Sequence, residues 1–329
     1  MKKTNIGITT AIAVAVLFAA SPFVASASDW PDKPIRIILP YSAGGAVDIL
    51  TRIVAKEMSE DLKQPVIIQP RPGGEGNIAA LAVAKAAPDG YTLLSSSAVI
   101  TSIPALFDNV EWKTEDFAPV GLFATSSGFI VSSAKLPVKS ISELVAYTKK
   151  NPGLPSAVLI GGAFTTFVTR VLAQEANIDL LFIQYQGAVQ HMTDLYEGRV
   201  ALATLSGNLA CGAVKDNKLN VLAVTGDQRS IAAPDTPTMA EAGFPNVNAQ
   251  GWYGLHAPAG TPADRIARLA ASLEKAVNKE SVQAALAKVC VNVSYQSPEA
   301  LDAFVKEDVK RWKHAVELLK SQEKKTKPQ

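Results

Sequence analysis

Two stretches of the chain place a Gly-Gly pair between a short apolar run and an amphipathic one. The first is Tyr41-Ser42-Ala43-Gly44-Gly45, after the apolar run at 35–39. The second is Gly161-Gly162-Ala163-Phe164-Thr165, after the run at 157–160. A strand–Gly-Gly–helix turn exposes the free N–H groups of a helix start and the positive end of its dipole. Glycine lets that backbone approach a ligand and take positive φ. Such a turn suits a carboxylate or phosphate, with no Lys or Arg needed. Gly44 and Gly161 lie 117 positions apart, far beyond a short tandem repeat and consistent with two similarly built lobes. One Gly-Gly alone reads as a tight turn. The matched pair reads as a grip on one small anion from two sides.

The polar residues nearby divide by what their chemistry permits. Asp48 falls in the first turn of the helix after Gly45, where its carboxylate would repel an anion. Bonding the free N–H groups and fixing the loop is therefore its stronger reading, ahead of ligand contact. Ser42, Ser95, Ser96 and Ser97 end two strands and either donate hydrogen bonds to a ligand or only start loops. Gly73-Gly74-Glu75-Gly76 lacks the Gly-Lys-Ser/Thr ending of a phosphate loop and the G-x-G-x-x-G spacing, and reads as a turn. The three histidines are His191, His256 and His314. None sits in an H-E-x-x-H or H-x-E pattern, and no C-x-x-C or G-x-S-x-G occurs, so no zinc site or nucleophile elbow is expected. His314 reads as solvated. His191 and His256 either approach a cleft or are structural, the commoner role for a lone His. No catalytic residue, metal or cofactor is expected.

The elements that must position these residues alternate. Strands are expected at 35–39, 66–68, 91–94, 129–132, 157–160, 180–183, 200–203, 219–225 and 252–256. Helices are expected at 46–62, 77–87, 140–150, 165–176, 188–197, 263–278 and 298–319, with a short one at 238–242. Ser140 and Glu143 form a capping-box pattern. Residues 321–329 are polar and expected to fray. The βαβ order implies an α/β fold with mostly parallel sheets covered on both faces.

Residues 1–27 read as a cleavable signal peptide. Lys2 and Lys3 precede an apolar stretch from 6 to 20, and Ala25-Ser26-Ala27 offers a small-x-small cleavage site. Export to the periplasm is the expectation. The whole chain carries 32 Lys and Arg against 30 Asp and Glu, and losing the two leader lysines balances the rest. That balance argues against a nucleic-acid or membrane-surface partner. Cys211 and Cys290 are the only cysteines. Their segments fall in different expected lobes, and a bridge would lock those lobes together. Two separate buried thiols are therefore expected, with a disulfide as the alternative.

Longer motifs run through the chain. They include Trp30-Pro31-Asp32-Lys33-Pro34-Ile35-Arg36, Gly44-Gly45-x-x-Asp48, Arg71-Pro72-Gly73 and Gly76-Asn77-Ile78. Pro88-Asp89-Gly90-Tyr91-Thr92-Leu93-Leu94, Phe117-Ala118-Pro119-Val120, Pro237-Thr238-x-Ala240-Glu241-Ala242-Gly243 and Ala257-Pro258-Ala259-Gly260-Thr261-Pro262 follow. Together they resemble the Bug (Bordetella uptake gene) receptors, the extracytoplasmic solute-binding components of tripartite tricarboxylate transporters. The resemblance implies a two-lobed periplasmic-binding-protein fold of type II and no enzyme activity. It implies carboxylate binding by Tyr41, Ser42, Ala43, Gly44, Gly45 and Asp48 from one lobe. From the other it implies Gly162, Ala163, Phe164, Thr165 and Thr166. Ser95, Ser96, Ser97 and the turn at Gln186, Gly187 and Ala188 would line the same cleft. The family's second loop usually reads Gly-Thr-x-Ser-His, and here Thr166 stands in place of that His. Leu205 and Ser206 fall where Asp or Asn is common. With Phe164, these departures imply a less polar distal pocket, suited to a monocarboxylate or an aromatic carboxylate rather than citrate.

The expectation is a monomeric receptor with lobe 1 at 28–125 and 250–329 and lobe 2 at 126–249. It captures a small mono-, di- or aromatic carboxylate and delivers it to a tripartite-type membrane permease. A ligand sensor serving a signalling partner, and less so an exported enzyme in the same cleft, are the alternatives.

Overall fold

The computed structural model describes residues 30–326 except 108, 160–162, 186–187, 216–217 and 248–249. The expected leader therefore lies outside the described residues. The chain divides into a unit ending at Asp32 and a second, Lys33–Gln329, which holds every element named below.

The first strand, β1 (Ile35–Leu39), runs through the turn at Gly44 and Gly45 into α1 (Ala46–Leu62). Leu50, Val54, Met58 and Leu62 recur every fourth residue on α1 and are all buried. Each such side chain contributes roughly 1.5–3 kcal/mol on burial. Lys63, in the left-handed conformation at φ 54°, ends the helix. Next come β2 (Val66–Pro70), α2 (Asn77–Ala84), β3 (Thr92–Ser96) and α3 (Val99–Leu106). Strand β1 pairs in parallel with β2 on one side and β3 on the other.

The second lobe repeats this plan. Its elements are α4 (Ile141–Lys150), β5 (Leu154–Leu159), α5 (Ala163–Glu175), β6 (Leu180–Tyr185), α6 (Ala188–Glu197) and β7 (Leu202–Ser206). Strand β5 pairs in parallel with β6 and β7, so β6-β5-β7 mirrors β2-β1-β3 in order. In the sequence a Gly-Gly pair follows the central strand of each triplet, and the second pair, at 161–162, lies outside the described residues. α7 (Gly207–Lys215) and β8 (Leu219–Val224) complete this half.

One strand belongs to both halves. β4 (Phe117–Ser133) pairs antiparallel over residues 117–127 with β9 (Gln250–Pro258). From Gly128 to Ser132 it pairs antiparallel with β7, and from Phe129 to Ser133 with β8. β9 in turn pairs antiparallel with β3. The parallel character thus lies in the two triplets, and antiparallel crossing strands join them. α8 (Ala263–Asn278), α9 (Glu280–Lys288), β10 (Asn292–Gln296) and α10 (Pro298–Thr326) follow β9, with β10 antiparallel to β4. At the crossing the side chains are small. A Cβ on Gly251 would lie 3.3 Å from the Ser126 carbonyl oxygen.

Three expectations need correction. Residues 238–242 form no helix: Thr238 and Glu241 cap each other through Thr238 N to Glu241 Oε2 and Glu241 N to Thr238 Oγ1. Gly243, at φ +92°, then turns the chain away. α10 does not fray at 321 but continues to Thr326, because Gln, Glu and Lys are good helix formers. Cys211 and Cys290 are not separate thiols but a disulfide, with Cα atoms 5.6 Å apart. α7 starts beside the crossing strands, where a Cβ on Gly207 would lie 2.7 Å from Ser126 Oγ and 2.9 Å from the Cys290 carbonyl oxygen. The two cysteines therefore meet beside the crossing strand β4, which pairs with strands of both halves of the sheet.

Candidate anion-binding cleft

The first-lobe turn is open and held from below. Tyr41, Ser42, Ala43, Gly44 and Gly45 are all exposed. Gly44 takes φ +86° with no neighbour within 4 Å of a would-be Cβ, so glycine is needed there for conformation and not for space. No side chain caps the start of α1, so its first N–H groups have no partner within the helix. Asp48 is buried and holds the turn: Gly44 N donates to its Oδ2 at 2.9 Å, and Arg52 Nε to its Oδ1 at 2.8 Å. Burial acts to raise the Asp48 pKa, but the bonds from Arg52 and Gly44 and the Arg52 charge outweigh it and leave the carboxyl below its ordinary value. Both carboxylate oxygens are thus engaged within the protein.

The serines at the end of β3 have separate duties. Ser95 Oγ lies 2.6 Å from Thr51 Oγ1, which itself donates to the Val47 carbonyl. Ser96 Oγ lies 2.6 Å from His256 Nδ1. Ser97 bonds the Tyr41 hydroxyl. Burial of that hydroxyl raises the Tyr41 pKa, against the Ser97 bond. Tyr253 on β9 is buried, and its pKa is pushed up to about 12 by burial and then by Tyr41, while a bond with Ser126 opposes. Both phenols are therefore neutral at pH 7 and keep their protons for donation. Neither Tyr253 nor Ser126 stood out in the sequence, because only the pairing of β4 with β9 brings them together.

The second lobe repeats the hydroxyl pin. Thr169 Oγ1 donates to the Thr165 carbonyl at 3.0 Å and lies 2.8 Å from Thr204 Oγ1 on β7. Thr51 pins α1 to β3, and Thr169 pins α5 to β7. A Thr in the second turn of each helix was the readable signal for this. The pins fix where each helix start stands relative to its sheet. Gly162 and Gly187 lie outside the described residues, as do Gln186 and the side chains of Ala163, Phe164 and Ala188. Thr165 is buried, Thr166 and Ser206 are half-buried, and Leu205 is fully buried in the second-lobe core. The Leu205 side chain belongs to that core and not to an open surface.

Among the described residues, no group of three or more His, Cys, Asp or Glu could hold a metal ion. No helix among them is long and apolar enough to cross a membrane. What the first-lobe turn offers is a fixed, uncapped helix start with neutral hydroxyls beside it, an arrangement that stabilises an anion without a counter-charge.

Comparison with known proteins agrees with this geometry. Residues 50–320 match the family described as the tripartite tricarboxylate transporter family receptor. Protein BugT of Bordetella pertussis is 31% identical over 311 residues, spanning 92% of this chain and 95% of its own. MatC from Rhodopseudomonas palustris, solved with bound malate, superposes with a TM-score of 0.75 at 28% identity, over 87% of this chain and 100% of its own. Rpa4515 of R. palustris, solved with adipate, superposes with a TM-score of 0.77 at 27% identity, over 88% and 97%. The fold is that of the two-lobed periplasmic binding proteins. The chain belongs to the tripartite tricarboxylate transporter receptors, the solute-binding family that includes the Bug proteins.

Proposed function

We propose that this protein captures a small carboxylate between its two lobes and delivers it to a membrane permease, without transforming it. The observation that carries this reading is the exposed turn at 41–45 that leads into the uncapped start of α1 and is held in place by Asp48 and Thr51. The carboxylate docks on the turn at 41–45, with the Ser97 and Tyr41 hydroxyls beside it. The second lobe closes from the start of α5, with Thr165 and Thr166, and from Gly187 and Ser206. Malate and adipate in two structural neighbours support the ligand class. The lobes divide at 28–125 with 250–329, and at 126–249. The strand pairing of β4, which changes partners after residue 127, supports that division. Cleavage of residues 1–27 places the mature protein, a monomer, in the periplasm.

A thermal-shift screen of mono-, di- and aromatic carboxylates tests the reading. A ligand at about 100 times its Kd stabilises the native state by about 2.7 kcal/mol, or about 5 °C for a chain of this size. No shift with any carboxylate would oppose the reading. Turnover of a bound carboxylate would favour an enzyme instead.

A further inference from the structure

α10 carries one buried face past two cores. Leu301, Val305, Asp308 and Trp312 recur at three- or four-residue spacing and are all buried. Leu301 and Val305 lie in the core that also holds Ile100 of α3 and Trp252 of β9. Trp312 instead packs on Phe167 of α5, with ring centroids 5.3 Å apart and planes tilted by 40°. At that separation aromatic rings attract beyond their buried area. Phe167 packs against a different core, the one that holds Ile130, Leu172 and Leu202. The ring contact therefore joins the two cores through helices, apart from the strands that cross between them.

Asp308 fixes α10 one turn before that contact. Its Oδ2 accepts from Thr101 Oγ1 of α3 at 2.7 Å and from Trp252 Nε1 of β9 at 3.1 Å. The Trp312 side chain also bonds it, and Arg311 Nη2 stands 3.3 Å from its Oδ1. A buried carboxylate with these donors holds α10 in one register on α3 and β9. A continuous chain of contacts then links α1 with α5. Thr51 of α1 is pinned to Ser95 of β3, β3 pairs with β9, Trp252 of β9 bonds Asp308, and Trp312 meets Phe167. Phe167 directly follows Thr165 and Thr166 and stands two residues before Thr169, which is pinned to Thr204.

We propose that Trp312 is a positioning residue for ligand binding: through Phe167 it sets where the first turns of α5 stand relative to the start of α1. The inference rests on the reading of the cleft as a carboxylate site gripped from both helices. Trp312 acts through Phe167 and not on the ligand. With α5 held before the ligand arrives, binding does not carry the free energy of ordering it. Without the ring contact that ordering falls on the binding step, and affinity drops.

Calorimetry on wild type, Trp312→Leu, Phe167→Leu, the double variant and Trp312→Phe tests this. The probe is whichever of malate, adipate, hexanoate and benzoate binds wild type most tightly; together they span di-, mono- and aromatic carboxylates. Leucine keeps an apolar side chain at each place, and melting curves without ligand show that each variant is folded. Each single Leu variant should bind about three- to tenfold more weakly, the range that an aromatic pair supplies. The double variant should lie within about twofold of the weaker single one, because both substitutions break the same contact. Trp312→Phe keeps a ring against Phe167 and should stay within about twofold of wild type. A merely structural contact would lower the melting temperature and leave affinity unchanged, and that result overturns the proposal. Effects that multiply in the double variant, or tighter binding by either single Leu variant, overturn it as well. If wild type binds none of the four acids, the reading of the cleft itself fails, and this inference with it.

Discussion

Replacing His256 with Gln should flatten the acid side of the stability curve. His256 lies on β9, 2% exposed, with Nδ1 against Ser96 Oγ. Burial pushes its pKa down to about 3, with the Asp302 charge opposing. A base whose folded pKa lies below its unfolded value binds fewer protons when folded. Its contribution is full above about pH 6.5 and is lost as the pH falls toward about 3. Linkage then gives a loss of about 2 kcal/mol between pH 7 and 5, and about 3 kcal/mol by pH 4. Gln keeps an amide partner for Ser96 and does not titrate. Urea denaturation of both proteins at pH 7, 6, 5 and 4 reads the effect as the difference between the two curves. His191, whose pKa is also lowered by burial, and Asp308, raised by burial, titrate in both proteins and cancel in that difference. Wild type should lose about 2 kcal/mol more than His256→Gln by pH 5. Parallel curves would refute the reasoning, since they would mean that the ring is already charged or solvated in the folded state.

Three further outcomes follow from other parts of the fold. Asp61 accepts bonds from Arg268 at 2.5 Å and Lys275 at 2.9 Å, and although burial opposes them they hold its pKa at about 2. Its stabilisation is present above pH 4 and is lost as the pH falls through about 2. Asp61→Asn should cost roughly 1 kcal/mol at pH 7, allowing for screening of a partly exposed group, with the gap to wild type closing in acid denaturation series. The Cys211–Cys290 bridge spans 79 residues, so the double Cys→Ser variant should lose up to about 4 kcal/mol in guanidinium denaturation; a change under about 1 kcal/mol would show that it barely constrains the unfolded chain. Asp48→Ala frees the Gly44 turn and should weaken carboxylate binding by about 5- to 30-fold in calorimetry. Tighter binding would show that Asp48 acts on the ligand chiefly by repulsion.

The sequence made the helix starts legible because their signals are local. Gly44 and Gly45 between an apolar run and the four-residue spacing of Leu50, Val54, Met58 and Leu62 need no tertiary context. The first two-thirds of β4 were missed for the opposite reason. Phe117 to Ser127 mixes Ala, Pro, Gly, Ser and Thr without alternation, and it is a strand because β9 and β10 flank it. α3 and α7 carry Pro104 and Gly212 inside them, so local rules passed over them. The disulfide was misjudged because lobe membership was taken as a guide to distance. Both cysteines lie next to the crossing strand β4. The serine run at 95–97 looked uniform, yet partners on α1, on β9 and in the 41–45 turn give its three members different roles.

The account depends most on the start of α1 as the carboxylate's seat, and Gly45 is the place to test it. Gly45 has φ −78° and ψ 172°, which any residue adopts, and a Cβ there meets only the Ser42 carbonyl oxygen, at 3.6 Å. Gly45→Leu should therefore fold normally while covering the free N–H groups. Loss of two charge-assisted bonds, each worth about 1.5–3 kcal/mol, predicts at least about a hundredfold weaker binding. Calorimetric titration of wild type and Gly45→Leu with the tightest carboxylate from the thermal-shift screen measures this directly. One-to-one binding by wild type, lost in the variant at an unchanged melting temperature, is the predicted result. Equal affinity in the two proteins would contradict it.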